Sequence, residues 1–177
     1  MEIVINDTNI LIDLFNAGLL NYCRQLNLEF RTLDVIMEEI CVESQREAVN
    51  QLVADGTLKV YSLTGNQVAV VYNKVASYEG VCNLSPQDIS VMVYAIDNNC
   101  RLLTGDKILK ENATLENVKV SGVLFITDML TENGIVEASQ MIRALERLLD
   151  SNSRLPKRFI RERIEALHST LRNPATD

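Results

Sequence analysis

Strand-like and helix-like segments alternate along the first two thirds of this chain of 177 residues, and that alternation limits its fold more than any other feature. Runs rich in β-branched or apolar residues fall at 2–6, 59–63, 101–104 and 118–120, with a weaker one at 29–33. Helical patterns fill the gaps, at 9–15, 34–41, 44–55, 67–78, 86–98 and 107–112, with Gly56 as the stop of the third. Strands joined by helical crossovers pair in parallel, so the pattern predicts an α/β fold: a parallel sheet with helices on both faces. From Val123 onward the strands cease, and "VLFITDMLTENG", "VEASQMIRALERLLDSN" and "PKRFIRERIEALHSTL" read as successive helices broken at Gly134 and before Pro156. The expected organisation is an α/β domain over 1–122 and a helical extension over 123–177 packed on it.

A chain of this length buries enough surface to fold without a metal or a disulfide. Its 47% hydrophobic content argues against disorder, and it has no apolar run of 18 or more residues, so no membrane span is expected. The sequence enters its first strand without a basic leader, and a cytoplasmic location follows. Cys23, Cys41, Cys82 and Cys100 show no metal-ligand spacing and read as reduced core residues. His168 is the only histidine, which argues against a Ser-His-Asp or Cys-His enzyme and against a histidine metal site. The net charge is −7, but residues 135–177 hold eight Lys/Arg against six Asp/Glu, so the acid lies in the α/β part.

Where that acid falls matters more than its amount. In "EIVINDTNILIDLF" a strand ends on Asp7, and in "RLLTGDKILKENA" another ends at Thr104 with Asp106 two residues on. In "NLSPQDISVMVYAIDNN", Ser85 is a good N-cap, Pro86 takes the first helical position and Asp88 falls three residues after the cap. Each acid has a local explanation as a helix-capping residue. Their shared place is the carboxyl ends of parallel strands, the rim where open α/β sheets bind ligands, and an acidic cluster is expected there. "TLDVIMEEI" offers one more acid on a short helix capped by Asp34; Glu38 and Glu39 lie about 100° apart around such a helix, so only one can face Asp7 well.

These segments together resemble the PIN-domain nucleases. "VINDTNILIDLF" resembles the family's opening strand and turn, and "VIMEEI" resembles its second motif, in which the ligand glutamate directly precedes an apolar residue, favouring Glu39. "LSPQDISVMVYAIDNNCRLLTGDKILKENA" is similar to the third block, with Asp88 and Asp106 at the acidic positions, and "SGVLFITDMLTENGIV" through "SRLPKRFIRERIEAL" resembles a helical extension on a toxin-like branch. The resemblance implies a PIN-like sheet and a metal-dependent ribonuclease, often the toxin of a toxin–antitoxin pair, with an antitoxin protein as partner. Homodimerisation is expected only on the general ground that two-fold dimers are common.

Carboxylates 4 Å apart repel by about 4 kcal/mol at an effective dielectric of 20, a conflict that a divalent cation removes. All-oxygen ligands select Mg²⁺ or Mn²⁺. Asp7 and Asp106 are expected to hold the principal ion, with Asp88 and Glu39 completing its shell through waters or binding a second ion, and a metal-activated water attacks phosphorus. Thr8, Asn9 and Thr104 are candidates to orient the carboxylates, although ordinary turn bonding explains them equally well. For RNA, Arg154, Lys157, Arg158 and Arg161 make one basic stripe if the last helix extends back to Arg154, and Lys107 is a second phosphate contact. Two rivals remain: a non-catalytic module of the same fold that binds protein or RNA, and a Mg²⁺-dependent phosphatase. The phosphatase is weakened by Thr8-Asn9 following Asp7, which leaves no paired-acid nucleophile motif, and by the absence of a P-loop.

Overall fold

The computed structural model describes residues 1–151 and 154–172; the parts of the helical extension expected at 152–153 and 173–177 lie outside the described residues. β1 (Glu2–Asn6), β2 (Leu28–Leu33), β3 (Leu58–Tyr61), β4 (Arg101–Leu103) and β5 (Val120–Ser121) form one all-parallel sheet in the order β3-β2-β1-β4-β5. The crossovers carry α1 (Thr8–Ala17), a 3₁₀ turn (Leu20–Gln25), α2 (Asp34–Met37), α3 (Glu43–Ala54), α4 (Gly65–Tyr78), α5 (Pro86–Asp97) and α6 (Lys107–Leu115). The chain closes with α7 (Val123–Glu132), α8 (Ala138–Ser151) and α9 (Lys157–Arg172). This is a PIN-like α/β fold with a C-terminal helical extension.

Successive strand residues face opposite sides, and β1 shows the consequence. Val4 enters a core with Leu11 and Leu14 of α1, Leu52 of α3 and Ile126 of α7, whereas Ile5 enters one with Met92 of α5 and Leu109 of α6. Both are fully buried, which is why β1 reads as an unbroken apolar run. Leu145 and Leu148 of α8 and Ile160 of α9 lie in the same core as Val4, so the three C-terminal helices share a hydrophobic interior with the sheet. α9 packs mainly on α8 and adds a bidentate Arg163–Asp128 pair to α7, at 2.5 and 2.6 Å.

Several element ends differ from the sequence expectation. The helix expected over 34–41 is a single turn: Glu39 and Ile40 donate their amides to the carbonyls three residues back, which tightens and ends it, and buried Ile40 anchors the chain. Glu38 and Glu39 therefore lie in a turn, and the helical-wheel comparison between them does not apply. Asp34 is the first helical residue, not the cap; it accepts Val35 N–H at 2.8 Å and the Ser62 hydroxyl at 2.5 Å. α6 continues to Leu115 and closes through Asn117, at φ 62°, with Val118 N–H on Ala113 O, so β5 begins at Val120, two residues later than expected. All four cysteines are free thiols; Cys23 and Cys100 are core residues, but Cys82 is half-buried and Cys41 is exposed.

Candidate functional site

Register brings the first two acids together. Asn6 pairs with Leu103, and Asp7 N–H donates to Leu103 O at 3.0 Å, which sets Asp7 beside Thr104 at the carboxyl end of the sheet. The Thr104 hydroxyl donates to Asp7 Oδ2 at 2.8 Å and accepts Asp106 N–H at 3.0 Å. A single buried oxygen thus links residues 97 and 2 positions away in sequence.

Asp7 occupies the N-cap position of α1, yet its side chain makes no capping bond. It turns to Thr104 and, at 3.4 Å, to Asn9 Nδ2. The capping explanation does hold locally for the other two aspartates: Asp106 Oδ1 accepts Leu109 N–H at 2.8 Å, and Asp88 forms a capping box with Ser85, accepting its amide at 2.8 Å and its hydroxyl at 2.7 Å. Each spends one oxygen this way. Asp106 Oδ2 and Asp88 Oδ1 accept no hydrogen bond among the described residues.

Burial pushes the Asp7 carboxyl up from its ordinary 3.8 to about 6, opposed by the Thr104 hydrogen bond and reinforced by the negative charge of Asp88. Glu39 is exposed and accepts the hydroxyl of Thr8, whereas Glu38 has no such bond. Hydrogen bonds thus link Asp7 to Thr104 and Asn9, Thr104 to the backbone of Asp106, and Thr8 to Glu39, whereas Asp88, among the described residues, bonds only within its own capping box.

The donor set is carboxylate oxygen only, which suits a hard cation such as Mg²⁺ or Mn²⁺. Among the described residues no three His, Cys, Asp or Glu side chains stand close enough together to hold a metal ion directly. A cation held here would reach part of this carboxylate set only through its own waters, as Mg²⁺ commonly does.

Asn6 escaped the sequence reading. It is fully buried, its Nδ2 donates to Arg31 O at 2.9 Å, and Thr32 Oγ1 donates to Asn6 O at 3.1 Å, so it fastens β1 to β2 just before Asp7. Its Oδ1 has no hydrogen-bond partner among the described residues. The only sequence signal is a polar residue inside "VIND", where an apolar strand residue was expected.

The basic residues divide differently. α9 begins at Lys157, so Arg154 lies in the preceding turn and the stripe does not run back along one helix. Arg158 pairs with Glu162 at 2.8 Å, while Lys157 and Arg161 are exposed and make no ion pair among the described residues. Lys107, beside Asp106, is exposed and stands 3.8 Å from Glu111.

A parallel α/β sheet with Asp7 and Asp106 following the carboxyl ends of its adjacent strands β1 and β4 defines the class. The chain belongs to the PIN-domain family DUF3368, whose model matches residues 3–169 and so takes in most of the helical extension. No curated protein matches the sequence. Among solved structures the chain is similar to VapBC2 from Rickettsia felis bound to a DNA fragment from their promoter, at 13% identity over 68% of this chain and 98% of that one, TM-score 0.49. It is also similar to VapBC-1 from nontypeable Haemophilus influenzae, at 17% identity over 69% and 98%, TM-score 0.48. FitAcB from Neisseria gonorrhoeae follows at 13% identity over 66% and 95%, TM-score 0.42. No helix among the described residues is long and apolar enough to cross a membrane.

Proposed function

We propose that this protein is a Mg²⁺- or Mn²⁺-dependent endoribonuclease that hydrolyses phosphodiester bonds at the acidic rim. The observation that supports the reading is the Thr104 hydroxyl, which donates to the Asp7 carboxylate and accepts the backbone N–H of Asp106, while the charge of Asp88 bears on Asp7. Helix capping alone accounts for Asp88 and Asp106 but leaves a buried, charge-crowded Asp7 unexplained. In this proposal Asp7, Asp88 and Asp106 hold the cation, partly through waters, and Glu39 completes its shell. When bound, the cation supplies an activated water and neutralises charge developing on the phosphate. The chain's own residues fix the geometry: Thr104 and Asn9 hold Asp7, Thr8 holds Glu39, and the capping bonds hold Asp88 and Asp106. Lys107, Arg154, Lys157, Arg158 and Arg161 contact the RNA backbone. A toxin role in the cytoplasm, restrained by an antitoxin protein, is proposed from the family resemblance.

One observation favours the rival module that binds without cutting: no three acids stand within direct reach of one ion among the described residues. Purified protein incubated with mixed RNA and DNA, with EDTA, Mg²⁺ or Mn²⁺, separates the two. Metal-dependent RNA cleavage that disappears in Asp7→Asn is the expected result. RNA binding without cleavage in any metal would replace the nuclease with the module.

A further inference from the structure

Toward α1, β1 and β2 are apolar until their last residues. Val4 and Phe30 pair across the two strands and lie in the core that holds Leu11 and Leu14. Alternation returns Asn6 and Thr32 to that same face, and both are polar and fully buried. Past Ile5 and Arg31, the last pair of the ladder, these side chains continue the link between the strands: Asn6 Nδ2 donates to Arg31 O at 2.9 Å, and Thr32 Oγ1 donates to Asn6 O at 3.1 Å. The strands then part, β1 into Thr8 of α1 and β2 into α2 and the turn that carries Glu39. They meet again where the Thr8 hydroxyl donates to the Glu39 carboxylate. Asn6 holds its place at a disadvantage: its Oδ1 has no hydrogen-bond partner among the described residues, and turning the amide over would only take Nδ2 from Arg31 O. A Leu at this position would bury without an orphaned acceptor, as Val4 does on the same face. A buried carboxamide kept one residue before Asp7 therefore points to a demand other than packing.

We propose that Asn6 is a positioning residue for Glu39. Its carboxamide fixes the spacing at which β1 and β2 leave the sheet, and that spacing decides whether the Thr8 hydroxyl reaches Glu39. Thr8 is two residues past Asn6, and Glu39 is seven past Thr32. A shift at Asn6 therefore passes directly to Thr8, whereas the longer arm, exposed at Glu38 and Glu39, relies on the Thr8 bond to hold its carboxylate in place. Thr32 does not substitute for Asn6, because its bond goes to a backbone oxygen that every residue at position 6 carries. The carboxamide is thus the part of the clamp that a side chain of β1 supplies. The role of Glu39 in a metal site rests on the nuclease reading; its placement by Asn6 does not.

A double-mutant cycle on the full chain in EDTA tests the placement without any activity. Glu39→Ala should lower the urea midpoint of wild type, because it strips the acceptor from the buried Thr8 hydroxyl, and should shift that of Asn6→Leu by less than about half as much. Thr64→Ala, which removes the N-cap of α4, should shift both equally. Asn6→Ala removes the same bond without added bulk and takes the place of Asn6→Leu in the cycle if that variant does not fold. Kinetics on RNA with Mn²⁺ test the consequence: Asn6→Leu should lower kcat about 10–100-fold with KM nearly unchanged, and Asn6→Ser, which keeps a hydroxyl donor, should recover part of the loss. A strand-pairing role alone predicts additive midpoint shifts and an unaltered kcat, and either result overturns the proposal. Wild type that shows no metal-dependent cleavage ends the nuclease reading instead, and the cycle still decides whether Asn6 places Glu39.

Discussion

Asp7 and Asp106 are chemically identical residues at equivalent places in the chain, each just past a strand and just before a helix, yet their side chains do different work. Asp106 caps its helix and Asp7 does not. The difference makes opposite predictions for replacement by Asn in metal-free protein. A carboxyl raised from 3.8 to about 6 by folding binds its proton more tightly in the native state. The contribution of Asp7 to stability is therefore highest below pH 3.8, falls as pH rises through the window from 3.8 to 6, and is flat above it. Asp7→Asn should abolish that fall and stabilise the EDTA-treated protein above pH 6 by on the order of 3 kcal/mol, read from urea melts across pH. Asp106→Asn keeps a good N-cap and should change metal-free stability by only a few tenths of a kcal/mol. Both should lose most of the Mg²⁺- or Mn²⁺-dependent rise in melting temperature expected of wild type. Full retention of that rise in Asp106→Asn would remove it from the proposed ligand set.

At the scale of elements, α9 combines an apolar edge, Ile160, Ile164 and Leu167, which faces the core, with a basic edge. Its start at Lys157 changes what the basic edge can do. Arg158 is engaged by Glu162, so its charge reversal removes an ion pair as well as a phosphate contact, whereas Arg161 acts alone. Arg161→Glu is expected to weaken RNA binding and to lower the slope of log affinity against log salt by about one. Arg158→Glu should have the smaller effect. Equal affinity at every salt concentration for both variants would return α9 to an ordinary solvated surface. Arg163 is excluded from this role by its bidentate pair with Asp128, which ties α9 to α7; both partners are about one-third exposed, so the pair stabilises by under about 1 kcal/mol.

For the whole molecule the shared core is decisive. Leu148 of α8 is fully buried in the cluster that holds Val4 of β1, so the extension and the sheet are expected to unfold in one transition. Leu148→Ala should cost about 2–5 kcal/mol of global stability while leaving a single cooperative melt, and should shift both helical and aromatic signals together. Two separated transitions would show instead that residues 1–122 hold together by themselves.

The sequence by itself determined the periodic features: which runs are strands, that the sheet is parallel, and that its carboxyl rim is acidic. Apolar periodicity and N-cap chemistry are local, so Val4, Ile5, Ser85 and Asp106 could be read from their neighbours alone. Tertiary structure decided everything that depends on which local option a residue takes up. Asp7 had a cap to make and makes none, because the register of β1 on β4 sets Thr104 beside it. Glu39 was distinguished from Glu38 in sequence only through a family resemblance; in the fold it is marked by the Thr8 hydroxyl, after a helix that stopped at Met37. Asn6 carried only the signal of a polar residue at a strand end, since burial of its side chain between two strands follows from pairing, and pairing is not written in either strand separately. Long-range register fixes these choices because a hydrogen bond between residues 97 positions apart has no counterpart in local sequence.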